Sequence, residues 1–181
     1  MIPSLTSPQI MEVLSNEGYY QCDFHTTLFH SILEKIEYFD SNITIRRLDR
    51  NEFNLFSEIY TEGFDMPVTI QNGIARNNEI LYDTPNWSFF LASINHTPAG
   101  IGVLFIKNEI ATLAAATTIL AFRNKGIHTA LIQKRLLTAL DSNVKIAIGQ
   151  AKFASVSQNN MERVGFRMAY TKAIWRKRLM I

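Results

Sequence analysis

The spacing of apolar residues changes several times along the chain, and each change marks an element. In Thr26–Phe39, Leu28, Ile32, Leu33, Ile36 and Phe39 recur at helical spacing behind Thr26 or Thr27 as a cap, which predicts a helix. Asp40-Ser41-Asn42 breaks that pattern and separates a partly helical N-terminal extension, residues 1–41, from a main domain, residues 42–181. Ile43-Thr-Ile-Arg-Arg reads as a short strand. Asn51 to Gly63, with Phe53, Phe56, Ile59 and Tyr60 on one face, reads as a helix that Gly63 ends. A further helix is expected between Val68 and Leu81.

Two hairpins follow. Trp87 to Ile94 is aromatic and β-branched, Asn95 to Gly100 is turn chemistry, and Ile101 to Ile106 is a second strand. Lys107-Asn108 reverses the chain into Ile110–Ile119, whose alanines favour helix but whose threonines and hairpin context favour a strand. A helix from about Lys125 to Leu140 carries apolar residues on more than one face. Val144–Ile148 is then a short strand, Ser157–Val164 a short helix, and Phe166–Trp175 a final extended pair.

Composition narrows the setting. With 181 residues, 47% of them hydrophobic, the chain can bury one sizeable core. Its 18 basic and 16 acidic residues nearly cancel, which argues against a nucleic-acid binder. The single cysteine, Cys22, cannot form an intramolecular disulfide and suits a reducing cytoplasm. No signal-peptide pattern and no membrane-spanning apolar run is present, so a soluble cytoplasmic protein with no membrane partner is expected.

The most informative stretch is Arg123-Asn-Lys-Gly-Ile-His-Thr-Ala-Leu-Ile132, which joins the Thr/Ala-rich strand to the long helix. The first amides of a helix lack intrahelical partners, and the macrodipole adds about half a positive charge there. Gly126 lets a phosphate approach the backbone, and Arg123 and Lys125 add cations, so the loop suits a pyrophosphate. His128 is expected as a surface residue. His25 and His30 are off the spacing that would put both on one helical face, and no metal site is expected. Arg176-Lys-Arg178 reads as a solvated strand edge, and Met161 and Phe166 as core.

The order of these elements resembles the GNAT superfamily of acyl-CoA-dependent N-acyltransferases. Arg123-x-x-Gly126-x-His128 matches two of the three fixed positions of that family's Arg/Gln-x-x-Gly-x-Gly/Ala motif, with His128 the departure. Ser157-x-x-Asn160-x-x-Arg163-x-Gly165-Phe166, followed by Tyr170-Thr171, resembles its closing helix and Gly-Phe pair. The likeness covers roughly residues 43–175. It implies an α/β (α+β) fold, a mixed and mostly antiparallel central sheet flanked by helices, here with a helical N-terminal extension. It also implies acetyl-CoA as co-substrate. Carried over, the strand end Thr118, Ile119, Leu120 and Ala121 would meet the pantetheine arm. Arg123, Asn124, Lys125, Gly126, Ile127, His128 and Thr129 would hold the pyrophosphate, and Asn160 would stand on the other wall.

Acyl transfer to an amine requires loss of the amine's proton, stabilisation of an oxyanion and departure of a thiolate. Glu62, beside Gly63-Phe64, is the leading candidate base, and Glu109 opens the strand too far from its catalytic end. The resemblance would place a tyrosine acid where Met161 stands, and a thioether cannot donate a proton. Tyr170 is one alternative acid and unassisted departure another. The resulting expectation is an N-acetyltransferase acting on a primary amine of a small molecule or peptide, with a homodimer as an open alternative. The alternative is a domain that binds acyl-CoA without transferring the acyl group and senses a ligand or binds a partner.

Overall fold

Two tight reversals set the centre of the sheet. The computed structural model describes residues 6–32 and 42–178. In it β3 (Trp87–Ile94) turns into β4 (Thr97–Lys107) through Asn95 and His96, with φ of 48° and 64°. β4 turns into β5 (Ile110–Thr118) through Asn108 and Glu109, with φ of 50° and 62°. Two-residue loops with positive φ at both positions match the right-handed twist of the flanking strands. The turn expected over Asn95–Gly100 therefore shrinks to two residues. Pro98 still leaves its mark: it lacks an N–H, and the register slips beside it, from Ala92 opposite Gly100 to Ser93 opposite Pro98.

The chain divides into two compact units. The larger, His30–Ile148, holds β2 (Ile43–Arg47), β3, β4 and β5, antiparallel in that order, with α2 (Phe53–Gly63), α3 (Gln71–Tyr82) and α4 (Ile127–Asp141). β4 is buried on both faces, and its alternation assigns each face a helix layer. Ile101 and Val103 join Phe53, Phe56, Ile59, Phe89 and Leu91 in one core. Phe89 takes Phe53 and Phe56 edge-on at 5.3 and 5.6 Å between ring centroids. The opposite face carries Gly100 and Gly102, and α4 lies close against them. A Cβ on Gly100 would come within 2.9 Å of Ile127 and 2.8 Å of the Thr117 carbonyl.

The smaller unit holds residues 1–29 and 149–181. Here β1 (Tyr19–Ser31) runs antiparallel to β7 (Arg167–Lys177), from Tyr19 opposite Lys177 to Phe29 opposite Arg167. The helix expected over Thr26–Phe39 is thus corrected: its first six residues are strand, and Leu33, Ile36 and Phe39 lie outside the described residues. Leu28 and Ile32 are four apart, a spacing that fits both a helical repeat and strand alternation. Burial decides between them, since Leu28, His30 and Ile32 are buried while Phe29 and Ser31 are exposed. Helix does form earlier, as α1 (Pro8–Asn16), with Ser7 as N-cap and Pro8 in the first turn.

The expected final extended pair is the single strand β7, which lies last in the hydrogen-bonding order β2-β3-β4-β5-β6-β1-β7, where β6 is Ile146–Lys152. Its basic end is solvent-facing as expected, with Lys177 over the Tyr19 ring and Arg178 over the Tyr20 ring. α5 (Val156–Arg163) precedes it, and among the described residues five helices accompany a mostly antiparallel seven-stranded sheet. Met161 and Phe166 are core, as expected. No helix among the described residues is long and apolar enough to cross a membrane.

Candidate functional site

β5 leaves the sheet at Thr118, and the chain reaches α4 through a 3-10 turn at Leu120–Phe122 and the loop 123–126. Much of the strand end satisfies itself. The Ile119 N–H donates to Ala99, the Phe122 N–H to the Ile119 carbonyl, and the Arg123 N–H to the Leu120 carbonyl. The Thr118 hydroxyl is buried with no hydrogen-bond partner among the described residues. Such an orphan is costly and suits a ligand that supplies the missing bond.

Arg123 does more than carry charge. Its Nη2 donates to the Gly63 carbonyl at 2.9 Å and its Nε to the Thr118 carbonyl at 3.3 Å, so it ties the end of α2 to the end of β5. Gly63 must be small there, because a Cβ would collide with the Thr117 side chain. Lys125 stands exposed, its ammonium 4.9 Å from the Phe122 ring centre. Among the described residues neither cation joins an ion pair.

Gly126 is the N-cap of α4, at φ 82° and ψ −4°, a left-handed conformation that favours glycine. Asn124 also has positive φ, at 61°. As a glycine, Gly126 offers the first turn no side-chain cap bond. Ile127 is buried and anchors the first turn, while Thr129 is half-buried. An uncapped helix start, an exposed lysine and an orphaned hydroxyl at the preceding strand end are a fitting donor set for a phosphorylated, amide-bearing ligand such as CoA.

His128 departs from its expected surface role. It is half-buried, and desolvation, with the charge of Arg135 behind it, pushes its pKa down to about 4. It is therefore neutral at physiological pH and adds no positive charge to the loop. Arg135 itself is fully buried on α4, and burial lowers its pKa to about 9. Sequence reading passed over this residue. The one available signal was the helix's lack of a single apolar face.

The candidate catalytic residues fall in different places. Glu62 is exposed at the C-terminal end of α2, adjoining the Gly63 carbonyl that Arg123 holds. Glu109 is occupied at the far hairpin, 2.9 Å from Lys145. Asn160 and Tyr170 belong to the smaller unit, each half-buried, and Tyr170 pairs with Thr27 across the β1–β7 ladder. Met161 is enclosed there: a Cβ on Gly149 would sit 2.9 Å from its sulfur, so the glycine makes room for the thioether.

No protein-family model matches the sequence, and no curated protein matches it. Solved structures do match the fold. A GCN5-related N-acetyltransferase from Sphaerobacter thermophilus superposes with a TM-score of 0.76 at 15% identity, over 96% of this chain and 57% of that one. AAC(6')-Iy, solved with the bisubstrate analogue CoA-S-monomethyl-acetylneamine, gives 0.64 at 15% identity, over 77% of this chain and 100% of that one. The ribosomal-protein-S18-alanine N-acetyltransferase from Escherichia coli gives 0.58 at 16% identity, over 69% and 77%. The architecture of this chain is the GCN5-related N-acetyltransferase fold.

Proposed function

We propose that the protein is an acetyl-CoA-dependent N-acetyltransferase that modifies a primary amine of a small molecule or peptide. The observation that carries this reading is the start of α4. A left-handed glycine at the helix start and two cations outside any ion pair among the described residues follow a strand end with a buried, unbonded hydroxyl, within a fold shared with acetyltransferases. Acetyl-CoA supplies the activated acetyl thioester. The chain's part is to hold the pyrophosphate at Arg123–Thr129, to seat the pantetheine arm against Thr118–Ala121, and to keep the strand end fixed through Arg123. Glu62, exposed to solvent, takes the amine proton through water, and backbone amides of β5 face the oxyanion. The thiolate departs with a proton from Tyr170 or unassisted. Structures with this fold include one solved with the bisubstrate analogue CoA-S-monomethyl-acetylneamine and a ribosomal-protein-S18-alanine N-acetyltransferase, so the fold does not choose the acceptor. The exposed, unpaired Cys22 suits a reducing cytoplasm.

A second reading, CoA binding without transfer, draws on Met161, a buried thioether where a proton donor would stand. Calorimetry with CoA and acetyl-CoA tests the shared part: folded protein that binds neither would end both readings. A thiol-release assay across peptides, polyamines, amino sugars and amino acids separates them. Turnover with mass gain on the acceptor supports the enzyme, whereas tight binding with no turnover supports the binding module.

A further inference from the structure

Arg135 is the largest fully buried side chain among the described residues, at 1% exposure. No carboxylate there pairs with it. Its donors are spent on main-chain oxygens: Nε to Leu131 at 2.9 Å, and Nη1 to Ala115 at 3.2 Å and Val103 at 3.4 Å. Nη2 is buried with no partner. A lone buried cation is costly, and an apolar side chain of similar volume would fill the space without that cost. Packing alone does not account for it.

Its position suggests what does. β5 carries one extra residue here, because Val103 pairs with Ala115 but Leu104 with Leu113, leaving Ala114 over. Gly102 keeps the approach open, since a Cβ there would lie 3.4 Å from Arg135 Nε and 3.1 Å from Leu131. The same Nη1 reaches carbonyls on β4 and β5, so the Ala115 carbonyl is turned toward β4. The Ala115–Ala116 peptide is trans, so its N–H points opposite its C=O. The Ala116 N–H therefore points away from β4. A guanidinium drawing on the Ala115 oxygen also polarises that peptide and strengthens its N–H as a donor.

We infer that Arg135 is a positioning residue for acyl transfer, clamping the β5 bulge so that the Ala116 N–H is aimed and strengthened as a donor to the thioester carbonyl. The inference rests on the proposed acetyl-CoA reading. Ala116 lies on the same strand as Thr118, the first residue of the candidate pantetheine wall. With a pKa lowered only to about 9, Arg135 remains a cation at neutral pH.

The test is isotope-edited infrared spectroscopy of acetyl-CoA labelled with ¹³C at the thioester carbonyl, bound to wild type, Arg135→Met and Arg135→Lys. Calorimetry with CoA runs alongside. Wild type should lower the carbonyl stretch relative to free acetyl-CoA. Arg135→Met should lose most of that lowering while its affinity for CoA, which has no acetyl group, stays within about threefold. With an active acceptor, kcat should fall about 100-fold at unchanged KM for acetyl-CoA. Arg135→Lys keeps the charge but not the fork, and should recover only part of the shift. A purely structural role would reduce CoA affinity and Tm together. That result, a wild-type shift in folded Arg135→Met, an absent shift in wild type, or failure of both variants to fold, would overturn the inference. Wild type that binds no acetyl-CoA would instead remove the proposed function, and this inference with it.

Discussion

α4 and α5 each follow a strand, and their first turns are finished in different ways. At α5, Ser155 takes the extended N-cap conformation, and its hydroxyl accepts from the Gln158 N–H at 3.2 Å. Gln158 reaches back, its side-chain oxygen accepting from the Ala154 N–H at 2.9 Å. This is a close variant of the reciprocal capping box, and it leaves little for a ligand. At α4 the N-cap is a left-handed glycine with no side chain to offer. A side-chain cap there would add about 1 kcal/mol, which α4, like α2 and α3, forgoes. What sets the start of α4 apart is its left-handed glycine between cations, where the anion site is proposed, while the start of α5 is closed by its own side chains.

The largest effect that would break this contrast is at Gly126. Gly126→Glu places bulk and negative charge where the anion would sit, and should take CoA binding below detection by calorimetry. The left-handed φ adds strain of about 1–2 kcal/mol for a side chain, so Tm should also fall. Gly126→Asn tolerates that conformation without a charge, since only the Ile43 methyl approaches, at 3.7 Å from a built Cβ. It should retain much of the binding. Loss of binding in Asn as severe as in Glu would mean that backbone shape, not the open anion site, is what matters.

Arg123 comes next. Arg123→Ala should weaken CoA by about 1.5–3 kcal/mol, the worth of a hydrogen bond to a charged group. It should also speed amide exchange around Gly63 and Thr118, whose carbonyls lose their donor. Arg123→Lys restores the charge but cannot bridge two carbonyls, and should recover affinity only in part. Full recovery by lysine would reduce Arg123 to a point charge.

His128 sharpens the contrast through pH. Its folded pKa, about 4, lies below the ordinary 6.5, so between those values the unfolded chain binds a proton that the folded chain does not. Its contribution is fully present above about pH 6.5 and is lost as pH falls toward 4, by up to about 3 kcal/mol. Thermal melts across that window should show wild type losing stability more steeply than His128→Gln. Parallel curves would place the imidazole in water.

The sequence made the open helix start readable because a glycine between cations, after a strand and before good helix formers, leaves few other uses. The two Asn-led turns and Trp87–Ile94 were legible for the same kind of local reason. Residues 26–32 were not, because their spacing satisfies two periods and only the β7 partner, far along the chain, selects one. Arg135 was hidden more deeply. An arginine in a helix reads as solvated, and its burial depends on Gly102 of β4 and on a bulge in β5 that no local pattern announces. The tie from Arg123 to Gly63 was equally invisible, since it joins two segments whose proximity is a product of the fold.

The smallest effect belongs to the sealed helix. Ser155→Ala removes the acceptor for the Gln158 N–H while leaving the Ala154–Gln158 bond in place. Loss of an N-cap hydroxyl costs about 1 kcal/mol, which for a chain of this size lowers Tm by about 2–4 °C. CoA affinity should not change, because nothing at this turn is left open for an anion. The structural reading of α5 thus predicts a shift in stability alone, the inverse of the binding loss expected at Gly126. If Ser155→Ala weakened CoA as much as Arg123→Ala does, α5 would be part of the binding surface. The contrast between the two helix starts would then fail, and Asn160, on the same helix, would be the residue to replace next.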